Sequence, residues 1–79
     1  MKEKELKISI AGNEYKFLIS EDNEIIAFTF YRNNKIQSSS AMESIAKDKL
    51  KLYLSEKLLI MAMYDINHEI AKFDLVPTN

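Results

Sequence analysis

Asp65, His68 and Glu69 fall within five residues of one another in the stretch MYDINHEI, and they bring together the donor types of a metal site. On a helix Asp65 and Glu69 lie close to His68 on the surface, at i−3 and i+1. A metal ion needs at least one or two further ligands and a second shell to orient them, and no other segment offers a matching cluster. The stretch therefore reads as the solvated face of a helix, and a small metal-dependent enzyme is the least favoured of three function classes. Other chemistry has less to start from. The chain has no cysteine, which removes a thiolate nucleophile, a thiolate metal site and any disulfide framework. The serines cluster in SSS at 38–40 without the strand-turn-helix context of a nucleophile elbow. Glu21 and Glu24 are paired carboxylates, but a helix beginning near them would explain both through its dipole. Gly12 is the only glycine, too few to cradle a phosphate. The reading is a non-enzymatic protein that needs no cofactor.

The elements that carry these residues must come from a short chain. Its 79 residues suit one domain, and a chain of about this size buries only about 60% of the surface its unfolded form exposes. A net charge of −1 and a pI near 5.8 give no basis for a nucleic-acid partner. Lysines 47, 49, 51 and 57 are interleaved with Asp48 and Glu56, the look of an exposed helix rather than a basic stripe. The longest apolar run falls short of a membrane span, and MKEKELK at the N-terminus does not lead into a signal core. No membrane insertion is expected, and the compartment is read as cytoplasmic.

Leu6, Ile8 and Ile10 alternate with polar residues, as do Tyr15, Phe17 and Ile19, which is the period of half-buried strands. Gly12 and Asn13 between them suit a type II′ turn, so a hairpin is expected over residues 6–19. The next segment supports two readings. β-branched and aromatic residues, with Asn33-Asn34 ahead of Lys35-Ile36-Gln37, suit a second hairpin, and propensity alone slightly favours strand. Alternatively Ser20 or Asp22 caps a helix with acids in its first turn and Ile25, Phe28 and Arg32 along one face. Ser40 and Glu43 have capping-box spacing, which predicts a helix from about Ala41. The pattern bends before Ser55, a second cap, and runs on to about Phe73, with Pro77 limiting continuation.

Seven apolar residues in a row, Leu58 to Tyr64, would wrap a helix nearly twice, so no single core face absorbs them. The steps Leu59, Met63, Ile66, Ile70 and Phe73 form the 4-3-4-3 stripe that seams two helices together. Leaving three such side chains in water would forgo roughly 5–8 kcal/mol, comparable with the stability of a small domain. A two-fold homodimer is the expected solution.

Two stretches resemble the ZapA family of bacterial cell-division proteins: ISIAGNEYKFLISED is similar to its N-terminal hairpin, and SEKLLIMAMYDINHEIAKF to its second helix. The resemblance implies helix over 22–37, hence an α+β domain spanning 1–79 in which one hairpin packs on two helices (ββαα), with the helical region at 41–74 forming the dimer seam. It also implies a dimeric adaptor that binds the tubulin-like protein FtsZ and promotes Z-ring assembly. The family's partner-binding positions fall here on Asn13, where the family carries a basic residue, on Glu56 and on Met61. The family's C-terminal coiled coil has no counterpart before Pro77, and the segment from Ser38 to Leu54 is several residues longer than the family norm. The alternative is a homodimeric interaction or regulatory module of another system.

Overall fold

The computed structural model describes the backbone of residues 2–74 and the side chains of residues 3–67. Four strands, β1 (Lys2–Ile10), β2 (Asn13–Glu21), β3 (Ile25–Arg32) and β4 (Lys35–Glu43), are followed by one helix, α1 (Lys47–Asp74). The strands form a single antiparallel meander in the order β1-β2-β3-β4. The ββαα expectation is thereby overturned: the architecture is ββββα. Residues 22–37, laid out above as a helix, hold all of β3 and the start of β4, and the helical region begins at Lys47 instead of near Ala41.

The physical reason lies in alternation and turn chemistry. Ile26, Phe28 and Phe30 occur at every second position and all three are buried, a period that a helix would scatter around its circumference. Asn33 and Asn34 both take positive φ, 50° and 67°, the conformation a type I′ turn requires and asparagine tolerates. Ser40 and Glu43 are strand residues of β4 rather than a capping box. Ser55, expected as a cap, lies inside α1.

The first hairpin forms as expected, but its turn is Ala11-Gly12, with φ of 52° and 81°. Ile10 pairs with Asn13, Ile8 with Tyr15 and Leu6 with Phe17. This register differs by two residues in pairing from one built on Gly12-Asn13, so every side chain keeps its face. A second link ties the two hairpin turns together. The Asn33 side chain accepts from the Glu14 amide at 2.9 Å and donates to the Asn13 side chain at 3.0 Å.

One face of the sheet is covered and the other is open, as antiparallel sheets permit. Tyr15, Phe17, Ile19, Ile26, Phe28 and Phe30 from the covered face meet Leu50, Leu54, Leu58 and Ala62 of α1. Tyr15 and Phe30 stack with ring centroids 5.8 Å apart, and Phe17 packs edge-on against Phe30 at 5.9 Å. The helix lies closest to β1 and β2 and also packs against Ile26, Phe28 and Phe30 of β3. Its 28 residues extend about 42 Å at 1.5 Å per residue, against about 30 Å for a nine-residue strand. The sheet cannot flank the helix along its whole length.

Candidate functional site

Helix geometry divides the apolar run in two. Leu50, Leu54, Leu58 and Ala62 recur every four residues, and each such step advances about 40° around the axis. The buried line therefore winds as it climbs, and Met61, Ile66 and Asp65 continue it. Within the run from Leu58 to Tyr64, Leu58 and Ala62 are sealed in the core, and Met61 is half-buried. Leu59, Ile60, Met63 and Tyr64 remain in solvent, joined by Leu52 and Tyr53 two turns earlier. Ile60 and Tyr64 are 67% and 76% exposed. These six side chains form one band on the outer side of α1, interrupted by Glu56, which lies one turn from Leu52, Tyr53, Leu59 and Ile60.

The residues expected at the seam do not share one environment. Leu59 and Met63 belong to the outer band, but Ile66 packs against the chain's own core. The reason is the winding of the buried line: the 4-3-4-3 stripe starts on the outer face and crosses onto the inner one by Ile66. The Ile70 and Phe73 side chains lie outside the described residues. Of the positions singled out for partner binding, Glu56 is exposed within the band, Met61 is half-buried beside β4, and Asn13 is held by Asn33 where the two hairpin turns adjoin. The three do not converge on one patch.

Asp65 has a role that the sequence did not reveal. The Tyr15 hydroxyl donates to its Oδ2 at 2.8 Å, and Nη1 of Arg32 donates to both carboxylate oxygens at 3.1 Å. The three residues come from β2, β3 and α1, so the cluster clamps the helix to the far end of the sheet. Both oxygens of Asp65 are thus engaged by protein donors. The side chains of His68 and Glu69 lie outside the described residues. Among the described residues, no group of three metal-ligating side chains occurs, and no helix is long and apolar enough to cross a membrane.

No family model, curated protein or solved structure matches the chain. What the surface can do rests on its own chemistry.

An open groove beside the band completes the site. Phe30, Gln37, Ser38, Ile60, Met61, Tyr64 and Asp65 line it between α1 and β4. It arises because the helix-facing positions of β4 are Ser38, Ser40 and Met42, the partners of Phe30, Phe28 and Ile26. Two of those three side chains are too small to reach the helix. On the other side of α1, Lys4, Lys47 and Lys51 border a cleft over Leu6, Ile19, Leu50 and Leu54, and Lys4 is already paired with Glu21 at 3.7 Å.

Proposed function

We propose that this chain is a non-enzymatic, self-associating adaptor module of the cytoplasm, with the outer band of α1 as its contact surface and a second copy as its first partner. The observation that carries the reading is the band itself. At about 200 Å² of surface per large side chain, six side chains roughly half exposed offer about 600 Å² per chain, near the roughly 800 Å² that each partner gives to a standard interface. Leaving such a contiguous patch in water is uncommon for a lone small domain. A two-fold axis through the band lets each helix shelter the other. Glu56, a single acid among apolar neighbours, then restricts which helix registers are tolerated, because two such carboxylates brought together would repel.

FtsZ is the further partner we propose, which makes the module an aid to Z-ring assembly. The support is the resemblance of residues 8–22 and 55–73 to ZapA, stretches that lie here on a hairpin and a helix. The helix that the family places between them is a hairpin in this chain, so the middle of the molecule lends no support. Co-sedimentation with polymerised FtsZ, for the chain and for Glu56→Ala, tests the partner. Pelleting that Glu56→Ala reduces is the expected result. Failure of both forms to pellet overturns FtsZ as partner and leaves a homodimeric module of another system.

A further inference from the structure

The two edges of the sheet differ in how they meet solvent. An edge strand presents unpaired amides and carbonyls that invite another strand, and charged residues along it discourage that pairing. β1 carries such charges at Lys2, Glu3, Lys4, Glu5 and Lys7. β4 reads KIQSSSAME: its charges are confined to the ends, Lys35 and Glu43, and the seven residues between have neither charge nor proline. Every β4 residue except Met42 is exposed. Nothing among the described residues covers this edge.

We propose that β4 is a second self-complementary surface, along which another copy of this chain adds antiparallel, centred on Ser39, joining two four-stranded sheets into one of eight. Charge selects the arrangement. An antiparallel copy brings Lys35 of one chain to the end where Glu43 of the other lies, at both ends of the seam, whereas a parallel copy would bring like ends together. The bulge between Phe30 and Tyr31 pairing shifts the alternation at Gln37 and leaves Lys35 and Glu43 on opposite faces, so opposite charges adjoin at each end of the seam without forming a side-chain pair. In the middle, Ser39 stands opposite Ser39, Ser38 opposite Ser40 and Gln37 opposite Ala41, and small side chains leave the backbones free to approach. Sterics also permit it. The two helices lie on the same side of the joined sheet, closest to β1 and β2 of each chain, and even where α1 is held to Arg32 of β3 three strand spacings of about 4.8 Å put the two β3 strands about 14 Å apart. A helix about 10–12 Å across leaves them clear of each other. The backbone edge of β4 is distinct from the outer band of α1, though Ile60 and Tyr64 of that band border the same groove as Gln37 and Ser38, so a chain using both assembles beyond a dimer.

The chain's lack of cysteine makes a crosslinking test direct. Ser39→Cys, placed in a Leu59→Glu background that disables the helix band away from the β4 groove, should form a disulfide dimer under mild oxidation, because antiparallel partners on a two-fold axis lie within disulfide range. Ser9→Cys, on the β1 edge, is the comparison. Crosslinking of Ser39→Cys no faster than that of Ser9→Cys would overturn the proposal without touching the helix-band reading. Charge reversal supplies a second arm in the same background. Lys35→Glu and Glu43→Lys should each weaken self-association about threefold, with circular dichroism unchanged. An equal mixture of the two variants should recover it, because each then meets its opposite at both ends. Single variants that associate like the parent, or a mixture that fails to recover, would contradict the seam.

Discussion

Asp65 shows how one side chain can fix the placement of an element. It accepts from the Tyr15 hydroxyl and the Arg32 guanidinium at distances of 2.8 and 3.1 Å, and Tyr15 is fully buried. Replacing Asp65 with alanine removes a charge-assisted contact and a partner of a buried hydroxyl. The expected loss is about 2–3 kcal/mol of unfolding free energy, read as a lower urea midpoint, with Asp65→Asn falling between the variant and the parent. A variant as stable as the parent would show that the clamp carries no weight. Ala11 makes the opposite case. Its φ of 52° belongs to the left-handed region, which costs an L-residue roughly 1–2 kcal/mol. Asn-Gly is the favoured pair for a type I′ turn, so Ala11→Asn should raise stability by about 1 kcal/mol, measured in the same titration.

The helix begins without a side-chain cap. Ala46 offers only its carbonyl, which accepts from the amides of Lys49 and Leu50 at 3.0 and 2.9 Å. Ala46→Asp supplies the missing acceptor at a favourable end of the helix dipole, a gain of about 1 kcal/mol. In a domain of this size that corresponds to a rise of about 4–8 °C in Tm, and no rise would place the helix start elsewhere. Sequence and structure part company between Glu24 and Glu43. The alternation of Ile26, Phe28 and Phe30 and the Asn33-Asn34 pair already described a hairpin, and a resemblance carried by the flanking stretches outweighed them. Strand-favouring residues at period two are direct physics, whereas a neighbour's similarity says nothing about the segment between. The β1-β2 hairpin was legible because its two strands alternate without interruption around one glycine. The helix start was not, since Ser40 and Glu43 have capping spacing whether or not a helix follows. The outer band was half legible: seven apolar residues guarantee two faces, but which ones turn inward depends on the crossing of helix and sheet. Asp65 was illegible as a clamp, because Tyr15 and Arg32 lie 50 and 33 residues away.

At the scale of the molecule, a four-stranded sheet with one helix leaves two surfaces unprotected, the outer side of α1 and the edge of β4. The helix band is the stronger of the two, because it exposes Leu52, Tyr53, Leu59, Ile60, Met63 and Tyr64 together. Ile66 is a poor probe of it, since a charge there would enter the chain's own core and unfold it. Ile60 is the better one. At 67% exposure it can become glutamate without disturbing the fold, and only an interface would register the change. Molar mass by light scattering, for the parent and for Ile60→Glu over a range of concentrations, is therefore the most direct measurement. The parent should have at least twice the 9.2 kDa of one chain, and Ile60→Glu should lower that mass by half with an unchanged circular dichroism spectrum. A parent that stays at the mass of one chain at high concentration, or a variant that keeps the parent's mass, would contradict self-association through the helix.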